Sequence, residues 1–153
     1  MDRIRKTVTD NPQVGEVRYN TYYASIERYQ QALENKYYIE CISLMESLIA
    51  DRLESLANQI SESRDYSYKT LERLLEFLQG HKQKYLLNED MLQSLEHIVN
   101  WKNDRNKAIH EMAKLTDNLN EQFSTRYANL KNIANEGYNL FRELDNSIRK
   151  FRK

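Results

Sequence analysis

Three glycines and one proline in 153 residues leave little material for tight turns, which excludes a sandwich or barrel closed by many hairpins. The lone cysteine, Cys41, cannot build an internal disulfide framework or a Cys-rich zinc site. The three histidines stand far apart, at positions 81, 97 and 110, and no H-E-x-x-H pattern occurs, so no metal site and no cofactor is read from the chain. No run approaches the about 18 apolar residues of a membrane span. The opening Met1-Asp2-Arg3-Ile4-Arg5-Lys6 lacks the apolar stretch of a signal peptide. These absences leave the expectation of a soluble, cytoplasmic, mostly helical protein.

The length suits one domain with a real core. Leu, Ile, Val and Phe number 36, enough to escape disorder but few for a globular chain, and eleven tyrosines supplement them. The zero net charge hides an asymmetry. Residues 1–100 carry 12 Lys/Arg against 16 Asp/Glu, whereas residues 101–153 carry 11 against 7. A basic C-terminal third suits either a solvated helix surface or a polyanion.

Periodicity places the elements. Residues 1–16 show no helical period and read as an extended or mobile arm, with a helical domain over 17–153. A first helix is expected over Val17–Leu33, with Tyr19, Tyr22, Tyr23, Ile26, Tyr29 and Leu33 as its stripe. A second, over Lys36–Ile60, carries Ile42, Glu46, Ile49, Leu53, Leu56 and Ile60 at spacings of four and three. Glu46 thus stands on an apolar face, where it either reaches solvent at the edge or answers a buried arginine. A third helix is expected over Tyr68–Gln79, ended by Gly80. A fourth, N-capped by Asn88, reaches the polar cluster Asn100-Trp101-Lys102-Asn103-Asp104. The last is long: Phe123, Tyr127, Leu130, Ala134, Gly137, Phe141, Leu144, Ile148 and Phe151 keep a heptad pattern, filled either by its own chain or by a dimer seam. The expected architecture is an all-α, up-and-down bundle of four to five helices with a long C-terminal helix.

One stretch carries chemistry: Arg105-Asn106-Lys107-Ala108-Ile109-His110. Arginine stays protonated and grips phosphate with two parallel hydrogen bonds. Histidine titrates near neutrality and moves protons. The two suit metal-free RNA cleavage, in which a base takes the ribose 2′-OH proton and a cation stabilises charge building on the phosphate. Arg105 and His110 lie five apart, about 140° around a regular helix, so they do not converge within one. Either a helix begins near Asp104 and Arg105 folds across, or two copies of the segment face each other in a dimer. The second arrangement fits a six-residue motif better.

Arg105-Asn106-x3-His110 resembles the Arg-polar-x3–5-His signature of the HEPN superfamily (higher eukaryotes and prokaryotes nucleotide-binding). The segment from Tyr37 to Ile49 is similar to that family's second helix, and the resemblance covers roughly residues 18–150. It implies a metal-independent endoribonuclease of a toxin–antitoxin or anti-phage system, acting on RNA as a homodimer. It implies phosphate binding for Arg105, acid/base work for His110 and polar support from Asn106, with Glu46 behind them. An antitoxin or a nucleotidyltransferase is the implied partner. Some members carry, two residues after the His, a Tyr that the nucleotidyltransferase modifies; here that position is Met112. Other members are non-catalytic interaction or nucleotide-binding modules, which is the alternative reading.

Several neighbours complete the candidate set. Lys102 and Lys107 flank Arg105 and either hold adjacent phosphates or are simply solvated. Trp101 either stacks on a base or packs a helix junction. His97 lies four residues before it and either lines the same groove or is structural, and Cys41 belongs to the core.

Overall fold

The computed structural model describes residues 12–61, 66, 69–80, 87–115 and 119–151. They form five helices: α1 (Pro12–Glu34), α2 (Tyr38–Ser61), α3 (Leu71–Gly80), α4 (Glu89–His110) and α5 (Phe123–Phe151). No strand occurs among the described residues. None of the helices is long and apolar enough to cross a membrane.

Local chemistry sets the boundaries. Pro12 opens α1, a position where the missing N–H costs nothing. This is five residues earlier than the stripe suggests, because Gln13 to Glu16 offer little to the core and so leave no period to read. Residues 1–11 of the expected arm lie outside the described residues. At the other end of α1, Tyr37 N–H donates to Ala32 O at 2.8 Å and Lys36 N–H to Leu33 O at 3.1 Å. That is a Schellman closure with Lys36 at φ 62°, a left-handed position usually given to glycine. The Tyr127 hydroxyl donates to Lys36 O at 2.6 Å and holds the turn from α5. Thr70 caps α3 and Asn88 caps α4, its side chain accepting from Met91 N–H at 2.9 Å.

The pairings fix the topology. Arg28 with Glu40 and Tyr22 with Asp51 set α1 antiparallel to α2. Tyr38 against Tyr127 and Arg52 against Asp145 set α2 parallel to α5. Ser94 near Ser147 and Trp101 on Ile133 set α4 antiparallel to α5. The helices therefore run up, down, up, down, with α2 and α5 central and α3 bridging α2 and α4. The middle of the α5 stripe is filled within the chain: Leu130, Ala134, Gly137, Phe141, Leu144 and Ile148 are buried, whereas Tyr127 and Phe151 are half-buried and Phe123 is 59% exposed.

Two departures from the periodic reading matter. The cluster Asn100–Asp104 does not end α4, which continues unbroken to His110. Asn100, Asn103 and Asp104 are exposed and Lys102 is half-buried, while Trp101 is fully buried on the inner face and the half-buried Arg105, Ala108 and Ile109 follow. No new helix therefore begins near Asp104. The second departure is the closeness of the Trp101 contact. A Cβ on Gly137 would lie 2.7 Å from Trp101 Cζ2 and 3.2 Å from Met45 Cβ. Gly137→Ala gains about 1 kcal/mol of helix propensity but overpacks the junction by about 1–3 kcal/mol. A net loss of about 1 kcal/mol is expected in urea unfolding, with a shifted Trp101 emission. Unchanged stability and emission would show that the indole moves aside freely.

Candidate functional site

The candidate residues occupy the last two turns of α4. Arg105, Asn106, Lys107, Ile109, His110 and Glu111 line an open groove of about 510 Å³. Continuous helix keeps Arg105 and His110 about 140° apart, so they flank the groove rather than converge. Arg105 points toward the bundle, with its side chain 19% exposed, and pairs through Nη2 with Glu46 Oε1 of α2. Glu46 is 32% exposed. Both sequence readings of Glu46 therefore describe it in part: it lies at the stripe's edge and it answers an arginine. The Arg105 Nε is buried without a hydrogen-bond partner, so Glu46 uses only part of the guanidinium fork.

His110 is exposed, and the Lys114 ammonium stands 2.6 Å from its Nε2. Lysine can only donate, so Nε2 accepts and the ring hydrogen lies on Nδ1. Asn106 and Lys107 are exposed on the groove wall. Among the described residues, no three His, Cys, Asp or Glu side chains come together as metal ligands.

Three neighbours fall elsewhere. Trp101 is fully buried and its Nε1 donates to Ile133 O at 2.9 Å, so it packs the junction and presents no face to a base. Lys102 turns toward α3, its Nζ 3.8 Å from Glu72, and does not line the groove. His97 lies against Glu143 at 3.3 Å on the α4–α5 seam. Cys41 is buried, with Sγ 3.7 Å from Tyr29 O, and burial pushes its thiol up to about 11.

Arg126 is the residue that sequence reading missed. Its Nη1 donates to the carbonyls of Glu111 at 3.2 Å, Met112 at 3.4 Å and Lys114 at 2.5 Å, and its Nε to Glu121 at 3.2 Å. It thereby caps the carbonyl end of α4 and fixes the chain after His110, where the helix dipole favours a cation. The available signal was a basic residue in the first turn of α5, on the wrong side of that helix's own dipole.

Comparison with protein-family models, with curated proteins and with solved structures gave no match.

Proposed function

We propose that the chain is a metal-independent endoribonuclease of HEPN type, part of a toxin–antitoxin or anti-phage system. The observation that carries this is one groove lined by both Arg105 and His110, with Lys107 beside them. Arg105 holds the scissile phosphate, His110 Nε2 accepts the 2′-OH proton, and Asn106 supplies polar support. The 2′-oxygen attacks phosphorus and the 5′-oxygen leaves. The divergence of Arg105 and His110 around α4 favours a homodimer in which each copy completes the other's cleft.

The test is RNA cleavage by purified protein in EDTA, with analysis of the product ends. The expected products carry 2′,3′-cyclic phosphate and 5′-hydroxyl, in yields that EDTA does not reduce. Cleavage only with added Mg²⁺, or ends bearing 5′-phosphate, would overturn the reading. A second reading, a non-catalytic HEPN-fold interaction or nucleotide-binding module, draws on Glu46 already occupying Arg105. It expects no turnover across varied RNAs.

A further inference from the structure

The ribonuclease reading names a base and leaves the acid to be assigned. Cleavage needs a base for the 2′-OH and an acid for the departing 5′-oxygen, and one His110 cannot serve as both in the same instant, so the acid is either the second His110 of a homodimer or another group beside the base. The geometry points to Lys114 as that acid, paired with His110 and set in place by Arg126.

Three observations support the assignment. The Lys114 Nζ stands 2.6 Å from His110 Nε2, close enough for direct proton exchange. The backbone between them is tightly held: Glu111 N–H donates to Lys107 O, Met112 N–H to Ile109 O and Lys114 N–H to Glu111 O. Arg126 binds the Glu111, Met112 and Lys114 carbonyls from α5. A long exposed side chain thus starts from a fixed backbone. The charged groups that line the groove beside His110 are Arg105, Lys107 and Glu111, and Lys114 meets it only through its contact to His110. Arginine does not give up its proton, and a carboxylate only accepts. Lys107 shows no contact to the imidazole. Among the described residues, Lys114 both touches the base and carries a transferable proton.

The step closes on itself. A bound phosphate draws the Lys114 ammonium off the Nε2 lone pair, which frees His110 to act as base. Nε2 takes the proton from the 2′-OH and the O2′–P bond forms. The P–O5′ bond breaks, and O5′ receives a proton from Lys114 Nζ. His110 is now protonated and Lys114 is a neutral amine. The proton crosses from Nε2 to Nζ and restores the starting pair, with no outside donor or acceptor.

The proposal rests on the ribonuclease reading for its chemistry but has a readout independent of it. In RNA-free protein, ¹⁵N resonances of His110 should report the Nδ1–H tautomer, and Lys114→Met should shift them toward the mixture of free imidazole. Ring resonances that ignore Lys114→Met would overturn the pair whether or not the protein cuts RNA. With RNA, Lys114→Met should lower kcat by about 10²–10⁴-fold, as for loss of a general acid, with KM little changed. RNA with a bridging 5′-sulfur has a leaving group that needs no acid, so wild type and Lys114→Met should cut it at similar rates. Equal slowing on both substrates would remove the acid role. Lys114→Arg separates acid from charge: it should keep the tautomer yet stay as slow as Lys114→Met on ordinary RNA. Full activity of Lys114→Arg would reduce Lys114 to a positioning cation. If wild type cuts neither RNA, the ribonuclease reading and its acid step fall together, and the resonances still decide the pair.

Discussion

Arg105→Ala and His110→Ala are each expected to slow RNA cleavage by about 10²–10⁴-fold while the helical fold persists. The two losses have different origins. On the ribonuclease reading His110→Ala removes the imidazole that acts as base, and the ring is exposed, so stability should move by no more than about 0.5 kcal/mol. Arg105→Ala removes the cation placed where phosphate charge builds and leaves Glu46 without its partner. Glu46 is half-exposed, so water solvates the freed carboxylate and the fold survives. Arg105→Lys should recover little, since a point ammonium lacks the fork that grips two oxygens. The double variant should be scarcely slower than the worse single, because base and cation act on one transition state. Near wild-type cleavage by His110→Ala would reassign the base. Additive losses in the double would mean that the two residues serve separate steps. Glu46→Gln discriminates between the two readings of that carboxylate. It keeps an acceptor for Arg105 but removes the charge that competes with phosphate. Tighter RNA binding by Glu46→Gln marks Glu46 as a competitor, and weaker binding marks it as a support.

Much of the bundle was legible because burial imposes a period. The α2 stripe needed only spacing, and Ile42, Ile49, Leu53 and Leu56 are all buried. Caps were legible for a similar reason: Asn88 before Glu89-Asp90 has one economical use, at a helix start. What failed was the reading of polarity as a break. Asn100, Asn103 and Asp104 are exposed and Lys102 turns toward α3, and the inward Trp101 among them kept the period that the polar neighbours masked. One of the two sequence alternatives began a helix near Asp104, whereas the unbroken α4 puts Arg105 and His110 at the end of one. It changes their electrostatics, since a helix end presents carbonyls rather than N–H groups and favours cations. The role of Arg126 followed from that same end and was invisible without it. Glu46 shows the limit of spacing from the other side. Periodicity put a carboxylate on an apolar face, but the partner lies 59 positions away and only the fold joins them. Gly137 was legible as a weak point in a heptad, whereas the indole pressed against it was not. The α1–α2 turn carries the same lesson, since Lys36 takes a glycine's backbone conformation and a tyrosine on another helix holds it there.

Asp145→Ala is expected to cost about 3–5 kcal/mol, the largest stability loss from any single charged position in the bundle. Asp145 lies deep in the α2–α5 seam and answers two guanidinium groups. Arg52 Nε is 3.0 Å from Oδ1, and Arg149 Nη2 is 2.6 Å from Oδ2. The Arg52 side chain is only 2% exposed. Its Nε and Nη1 are both buried without a well-directed hydrogen bond, so the tie to Asp145 is an ion pair, and the Tyr22 ring lies 6.0 Å from Cζ. Removing the carboxylate therefore strands a buried cation that water cannot reach. Arg149 is 25% exposed and can turn outward, so Arg52 carries most of the penalty. A domain of this size has about 5–15 kcal/mol in total, so the single variant will sit near its unfolding threshold. A companion keeps the test decisive if it fails to fold. Arg52→Met with Asp145→Leu removes both charges and fills the seam with apolar volume. Such replacements are neutral or stabilising by about 1–4 kcal/mol. Urea unfolding should therefore rank the double variant at or above wild type and Asp145→Ala far below both. A double variant as weak as the single would show that the ion pair itself, rather than the avoidance of a stranded charge, stabilises the seam. A single variant within about 1 kcal/mol of wild type would show that Arg52 finds another acceptor once the seam relaxes. Its neighbour in the chain, Asp51, is already held by Arg18 at 3.0 Å and by the Tyr22 hydroxyl, so it offers Arg52 little in exchange and the loss is expected to be large.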